Sequence, residues 1–277
     1  MIIDSHQHFW KFNPVKDAWI DERMEILKRD FLPADLAPLL QKNLVDGCIA
    51  VQANQSDKET DFLLELAREN NFIKGVIGWV DLCGENCEEH IARLSQSNLL
   101  KGFRHIIQTE PDGFMMQKRF QQGIAVLKKY NLLYELLVYP RQLKEAIRLV
   151  ENHPDQQFVL DHIAKPQLSQ AINPQWEYYI QKLARFPNVS CKLSGLVTET
   201  RNFHWQNVNF HPFLDTVVNA FGTDRVLFGS DWPVCLLGGN YGQILQIITD
   251  YLENFSDTEC NKIMGLNAAR LYKLSIN

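Results

Sequence analysis

The sequence lacks the features that define several large classes of protein. No apolar run approaches the ~20 residues of a membrane-spanning helix, and there is neither a three-residue glycine period nor a sustained heptad. Lys and Arg total 28 against 33 Asp and Glu, so the formal charge is −5, and no basic stripe is present that would bind a phosphate backbone. We therefore expect neither a nucleic acid nor a membrane as a partner.

The N-terminus and the cysteines predict a cytoplasmic protein with reduced thiols. The first ten residues, MIIDSHQHFW, contain no positively charged region followed by an apolar segment, so no secretory signal is expected. The six cysteines are dispersed along the chain, and the spacing of Cys83 and Cys87 is typical of neither a zinc site nor a thioredoxin motif. Dispersed, unpaired cysteines are usual in reducing compartments.

Short apolar runs alternate with longer stretches of helical spacing throughout the chain. We predict strands at Ile2–His8, Asp46–Ala53, Ile73–Leu82, Leu100–Ile107, Leu132–Tyr139, Gln157–Ala164, Val189–Leu196 and Arg225–Val234. Helical stretches are predicted at Thr60–Asn70, Glu85–Gln96, Gln117–Tyr130, Gln142–Asn152, Pro174–Phe186, within His211–Phe221, and at Tyr241–Asn254. Residues 10–42 are predicted to form a long first loop that ends in a helix.

The alternation of strands and helices predicts an α/β protein built as a TIM (β/α)₈ barrel. Near-continuous apolar runs indicate strands buried on both faces, and eight strand–helix repeats favour a closed barrel. The alternative is an open doubly wound sheet. That fold usually has a glycine-rich turn after its first strand, where this sequence has Ser5-His-Gln-His8. No linker or low-complexity tract interrupts the chain, so we expect a single domain over residues 1–277.

Polar residues suited to catalysis follow three of the predicted strands. In a (β/α)₈ barrel the active site lies at the carboxyl ends of the strands. His6 and His8 end the first strand on one face, so both imidazoles can bind one divalent ion. His162 follows the sixth strand and Asp231 the eighth. Because a barrel brings these ends together, we expect a site for zinc or manganese in which Asp231 also acts as a general base.

Strand alternation predicts the direction of the side chains in the sixth strand. We place His162 on the face of Phe158 and Leu160, which we expect to fill the barrel. The same alternation turns the neighbouring Asp161 outward, or places it at the end of a loop or helix.

Two cations and several polar or aromatic residues are predicted to contact a substrate. Arg104 can hold a carboxylate or a hydroxyl-rich edge through its planar donors, and Lys192 can stabilise a developing oxyanion. The alternative for each cation is to neutralise a carboxylate inside the barrel. In the fifth strand, the pattern does not decide which of Tyr134 and Glu135 faces inward. Further candidates for the lining of the pocket are Gln52, Trp79, Asp81 and Trp232.

Five segments, taken together, carry a family resemblance. They are DSHQHFW, KGFRH, LDHIAKP, CKLSGLVTE and FGSDWPV, and the similarity continues to the NAARLY segment near the C-terminus. The chain thereby resembles the amidohydrolase superfamily, and most closely its sugar-lactone hydrolases of the L-fuconolactonase and L-rhamnonolactonase type. The resemblance implies a distorted (β/α)₈ barrel that opens cyclic esters of sugar acids.

The resemblance also implies roles for individual residues. His6, His8, His162 and Asp231 match the histidines and the aspartate of the superfamily's site, and Arg104 and Lys192 match positions that contact substrate in lactonases. The bridging carboxylated lysine or glutamate and the additional histidine of binuclear relatives have no obvious counterpart here. The implied cofactor is therefore one divalent ion, zinc or manganese, or none, because some lactonases of this branch work without a metal.

The expected reaction is hydrolysis of a sugar lactone by an activated water. Asp231 would take a proton from the water and return it to the ring oxygen, with His162 and Lys192 as further catalytic groups. A metal-dependent decarboxylase, another ester or amide hydrolase on the same barrel, and a non-catalytic binding barrel are the alternatives. The sequence leaves open the sugar, the ring size and the oligomeric state, and it is compatible with a homo-oligomer.

Overall fold

Eight parallel strands are arranged in sequence order around a barrel in the computed structural model, which describes residues 1–274. The strands are β1 Ile3–Gln7, β2 Gly47–Val51, β3 Ile73–Gly78, β4 Leu100–His105, β5 Leu133–Leu136, β6 Phe158–Leu160, β7 Val189–Leu193 and β8 Val226–Phe228. The predicted (β/α)₈ barrel is thus confirmed. The last three residues of the expected domain 1–277 lie outside the described range.

A helix follows each strand and covers the outside of the barrel. These helices are α1 Pro33–Lys42, α2 Asp57–Glu69, α3 Cys87–Leu94, α4 Lys118–Lys129, α5 Leu143–Asn152, α6 Pro174–Leu183, α7 His211–Phe221 and α8 Tyr241–Tyr251. Two short helices, α9 Asp257–Asn261 and α10 Asn267–Leu271, end the described chain. None of the helices within residues 1–274 combines the length and the apolar character needed to cross a membrane.

Alternate residues of each strand pack into two separate cores, as the two-residue period of a strand requires. One set, which includes Ile49, Ile77 and Leu227, fills the inside of the barrel. The other set, which includes Ala50 and Phe228, packs against the helices. A polar residue in the interior set must therefore point into the barrel, and this rule decides where the charged groups lie.

The two ends of the barrel sheet meet at residues of the predicted site. β1 and β8 are joined by an isolated bridge between Gln7 and Trp232. The backbone N–H of His8 donates to the carbonyl of Trp232 at 2.7 Å, and the N–H of Asp231 donates to the carbonyl of His6 at 2.8 Å. The contacts that close the barrel therefore also hold the two histidines beside the aspartate.

Candidate active site

Three side chains from opposite ends of the sequence converge at the carboxyl end of the barrel. The Nε2 atoms of His6 and His8 lie 3.2 Å apart. Oδ1 of Asp231 is 3.4 Å from Nε2 of His8 and 3.8 Å from Nε2 of His6, and all three residues are buried. Ligands that bind one tetrahedral zinc ion at 2.0–2.2 Å lie roughly 3.3 Å from one another. The three atoms are therefore spaced as ligands of a single ion would be.

His162 joins this group through a left-handed turn. β6 ends at Leu160, and residues 162–165 have φ values of 53°, 48°, 61° and 51°. The turn places Nε2 of His162 4.0 Å from Oδ1 of Asp231, and its Nδ1 hydrogen-bonds with Oγ of Ser194 at 2.9 Å. Left-handed conformation costs a non-glycine residue about 1–2 kcal/mol, so the surrounding contacts must hold the turn in place.

The predicted alternation in the sixth strand is wrong. Phe158 and Leu160 pack in the outer core, whereas Val159 packs inside the barrel. Asp161 therefore points into the barrel, not outward as expected. His162 reaches the site because the chain leaves the strand, and not because it continues the strand's alternation.

Four buried charges form a network beneath the histidines. Asp161 pairs with Nη1 of Arg104 at 3.1 Å and with Nζ of Lys192 at 3.2 Å, and Lys192 also pairs with Glu135 at 2.6 Å. Glu135 thus faces inward, which settles the orientation left open by the sequence, and it accepts a hydrogen bond from Tyr272 at 2.8 Å. Two cations and two carboxylates balance one another where single charges would be costly.

Burial and neighbouring charges shift the pKa values of the carboxyl groups in different directions. Burial raises the pKa of Glu135 to about 7, against the lowering effect of Lys192. Burial also opposes ionisation of Asp161, but Lys192, His6 and Arg104 hold its pKa well below the usual range. The pKa of Asp231 is likewise lowered, because His162 and His8 together outweigh its burial. Asp161 and Asp231 are therefore anions at neutral pH.

Burial favours the neutral imidazole form of His6 and His162. Burial lowers the pKa of both well below the ordinary value. Around His6, Nζ of Lys192 lies 3.2 Å from Nδ1 and Nη1 of Arg104 lies 3.2 Å from Nε2. Both neighbours can only donate, so a third positive charge on His6 would be repelled. Neutral imidazole is the form that binds metals and accepts protons.

The hydrogen-bond partners of the two histidines permit two proton arrangements. Nδ1 of His8 lies 2.8 Å from the carbonyl of Val51 and donates there, so the neutral form of this ring has its lone pair on Nε2. If Lys192 donates to Nδ1 of His6, Nε2–H of His6 can donate to Nε2 of His8. If Nδ1–H of His6 instead faces Oδ1 of Asp161 at 3.4 Å, two lone pairs oppose each other, and a cation between them would be stabilising.

Arg104 is held inside the barrel by Gln52. Nη2 of Arg104 donates to the Gln52 carbonyl, and the Gln52 side-chain amide donates to the Arg104 carbonyl at 3.1 Å. Both residues are buried. The structure therefore brings these two predicted substrate contacts together with His6 and Asp161.

The side chains of Trp79, Asp81 and Trp232 contact other parts of the structure, although the backbone carbonyl of Trp232 accepts from the N–H of His8. Trp79 is half-buried and its indole N–H points to Nδ1 of His105 at 3.3 Å. Asp81 is exposed and accepts a hydrogen bond from a backbone N–H two residues later at 2.9 Å. Trp232 is buried edge-to-face against Phe31, with ring centroids 5.3 Å apart. Within residues 1–274, none of these three side chains forms a hydrogen bond or ion pair with His6, His8, His162 or Asp231.

A barrel with histidines and an aspartate at its carboxyl end is the architecture of an amidohydrolase, and comparison with known families agrees. A family model described as Amidohydrolase matches residues 3–274. The chain therefore belongs to the amidohydrolase family, which confirms the resemblance based on the five segments.

Individual relatives narrow the comparison. The chain is 38% identical to an L-fucono-1,5-lactonase of Burkholderia multivorans, over 98% of this chain and 96% of the relative. It is 32% identical to an L-fucono-1,5-lactonase of Burkholderia ambifaria, over 98% and 95% respectively. A crystal structure of an amidohydrolase from Burkholderia multivorans with bound zinc superposes with a TM-score of 0.96, at 38% identity over 99% of this chain and 100% of that chain.

Proposed function

We propose that this protein hydrolyses the ring ester of a sugar-acid lactone, and that L-fucono-1,5-lactone represents its substrate class. The observation that carries the proposal is the convergence of His6, His8, His162 and Asp231 at the barrel mouth, in a chain 38% identical to an L-fucono-1,5-lactonase. The partner is thus a small neutral sugar lactone.

Asp231 is the general base in this proposal. Its low pKa keeps the carboxylate ionised at neutral pH, so it can take a proton from a water as the water oxygen attacks the lactone carbonyl. The tetrahedral intermediate then collapses, the bond to the ring oxygen breaks, and Asp231 returns the proton to that oxygen. The products are one carboxylic acid, which ionises at neutral pH, and one hydroxyl group on the same molecule.

His162 can act on the lactone carbonyl, and Lys192 acts through His6. In the metal-free form, when Oγ of Ser194 donates to Nδ1 of His162, the proton of the neutral ring lies on Nε2, from which it can be donated to the carbonyl oxygen. Lys192 is fully buried next to His6, so we assign it a positioning role through His6 instead of direct contact with the lactone. The substrate contacts predicted for Arg104, Gln52, Trp79, Asp81 and Trp232 stay predictions.

The residues present fit a divalent ion. Two imidazoles and a carboxylate place their ligand atoms at the spacing of a single coordination sphere, and we propose His6, His8, His162 and Asp231 as its ligands. Zinc suits this ligand set, and manganese is the alternative. Such an ion, when bound, would lower the pKa of water towards ~7 and polarise a carbonyl.

A pH-indicator assay with a panel of pentono- and hexonolactones tests the proposal. We expect one proton released per ring opened, no carbon dioxide, and the highest kcat/KM with a lactone of the L-fucono-1,5 type. Carbon dioxide release would instead indicate a decarboxylase, and no turnover of any lactone would reject the proposal. Repeating the assay after chelation, with metal content measured, assigns water activation: unchanged turnover assigns it to Asp231 alone, and loss restored by zinc assigns it to the ion.

A substitution at Gly195 tests the role of His162 without replacing the histidine itself. A Cβ at Gly195 would lie 2.5 Å from Nδ1 and 2.8 Å from Cγ of His162, so Gly195→Ala must displace the ring. We expect kcat/KM to fall about 100-fold, the scale of a 1 Å misplacement, with a stability loss of about 1–3 kcal/mol.

Gly222→Ala is the matched control for this substitution. Gly222 also has a positive φ, of 71°, but a Cβ there would meet nothing within 4 Å. The control should therefore lose stability from backbone strain and keep its turnover. Equal turnover in the two variants would contradict the role assigned to His162.

A further inference from the structure

An ion pair that the proposed mechanism does not use lies beside the site. Nζ of Lys165 is 3.3 Å from Oε1 of Glu199, and the two side chains are 17% and 19% exposed. Lys165 belongs to the loop after β6 and Glu199 to the loop after β7, so both lie at the carboxyl end of the barrel. The pair is neither a freely solvated surface pair nor sealed in the core, so a ligand entering the barrel mouth can contact it.

The turn that positions His162 also positions Lys165. The N–H of Lys165 donates to the carbonyl of His162 at 2.7 Å, which makes these residues the two ends of the same left-handed turn. The turn is anchored from outside by Trp176, whose indole N–H donates to the carbonyl of Ile163 at 2.8 Å. A conformation that is unfavourable for four consecutive residues thus places an imidazole and an ammonium group at the same mouth.

We propose that Lys165 and Glu199 form a hydroxyl-recognition pair for the lactone ring. An ammonium group has three donors and a carboxylate about four acceptor sites, so one mutual contact leaves capacity on both. Because Glu199 largely neutralises Lys165, the pair is poorly suited to stabilise an oxyanion. A donor and an acceptor held 3.3 Å apart instead suit neighbouring hydroxyls, each of which donates and accepts. The inference rests on the proposed lactonase function and names the feature that would select hydroxylated rings.

Lys165→Met and Glu199→Gln test the inference by the division of the effect between KM and kcat. Both substitutions keep the length of the side chain, and methionine pays the same backbone strain as lysine at this position. Losing hydrogen bonds from a charged group to a hydroxyl should raise KM for the sugar lactone about 10- to 100-fold while kcat stays within about threefold. For δ-valerolactone, which has no hydroxyls, kcat/KM should change by less than about threefold.

Every outcome of this experiment decides the question. An unchanged KM, or a loss confined to kcat, overturns hydroxyl recognition. Equal losses on the two lactones with a lower melting temperature would assign the pair a structural role and also overturn it. The exposed pair Lys129–Glu88, 3.0 Å apart between α4 and α3, provides matched controls in Lys129→Met and Glu88→Gln, which should leave both lactones unaffected. If wild-type protein opens no lactone at all, the proposed function fails first and the pair's role falls with it.

Discussion

Replacing Asp231 by asparagine should lower kcat for lactone opening by about 10³-fold, within the range attributed to general acid–base catalysis. The amide is nearly isosteric with the carboxylate but cannot take a proton from water or deliver one to the ring oxygen. Among residues 1–274, no carboxylate other than Asp231 pairs with His8 or His162, and Asp161 is engaged with Arg104 and Lys192. No second carboxylate can therefore replace Asp231 as the proton acceptor.

The asparagine variant should fold as well as wild type. Asp231 has a φ of 58°, and asparagine tolerates the left-handed region better than other residues with a Cβ. The backbone bond from the N–H of residue 231 to the carbonyl of His6, which closes the barrel, is unaffected by the change. We expect a melting temperature within a few degrees of wild type by calorimetry, so that lost turnover cannot be attributed to unfolding.

Asp155→Asn is the matched control for this prediction. Asp155 carries the same charge at the opposite end of the barrel, where its side chain is 85% exposed. Its substitution should leave kcat and KM unchanged. If Asp231→Asn kept more than about a tenth of wild-type turnover, a loss of less than 1.4 kcal/mol in transition-state stabilisation, the assignment of Asp231 as general base would be wrong.

The sequence predicted the barrel and most of the site because both follow from robust patterns. Eight apolar runs locate eight strands even where their ends are uncertain. The carboxyl ends of parallel strands then meet at one end of the barrel, whatever the exact register. His6, His8 and Asp231 could be brought together on that argument alone, and the structure places them within 3.8 Å of one another.

The orientation of individual side chains was less predictable because alternation requires a regular strand. β6 has three residues and gives way to a left-handed turn, so a period of two could not be extended from it to Asp161 or His162. In β1, Ile3 fills the barrel and His6 also faces inward, which an irregularity of register between Asp4 and Gln7 permits. The amino-acid composition of these segments signals neither the left-handed turn after β6 nor the irregularity of register in β1.

The sequence contains one signal for the inward orientation of Asp161 and Glu135. Arg104 and Lys192 lie in predicted strands and are expected to contact a substrate at the barrel mouth, where a buried cation needs a partner. Asp161 and Glu135, each within or next to a predicted strand, were the carboxylates available to neutralise them. Charge balance of the interior therefore predicts inward orientation where the alternation of a short strand does not.

The second large effect concerns stability: Lys192→Met should lower the free energy of unfolding by about 3–5 kcal/mol at about pH 8. Lys192 is fully buried and pairs with Glu135 at 2.6 Å and with Asp161 at 3.2 Å. Methionine fills a similar volume, so little of the loss should come from a cavity. The loss should come from two carboxylates left in the barrel interior with Arg104 as their remaining close cation.

The pH dependence of this loss has a definite sign. Without Lys192, the folded-state pKa values of Glu135 and Asp161 should both rise above their unfolded values of roughly 4. When folding raises the pKa of a carboxyl group, the free energy of unfolding falls as pH rises from the unfolded pKa towards the folded pKa. In wild type this already holds for Glu135, whose pKa is raised to about 7, whereas Asp161, with a lowered pKa, stabilises above its unfolded value and loses that effect in acid.

Urea unfolding at about pH 5 and pH 8 separates a lost charge pair from a packing defect. If burial of unpaired carboxylates causes the loss, the deficit of Lys192→Met should shrink in acid, where protonation relieves it. Adding Glu135→Gln should restore part of the stability at about pH 8, because the amide removes one charge and can still accept from Tyr272. The exposed Lys129→Met should change stability by less than about 0.5 kcal/mol. The deficit could instead be independent of pH, or the double variant could be no more stable than the single one. Either result would mean that Lys192 stabilises the fold by packing alone, and not by neutralising the interior carboxylates.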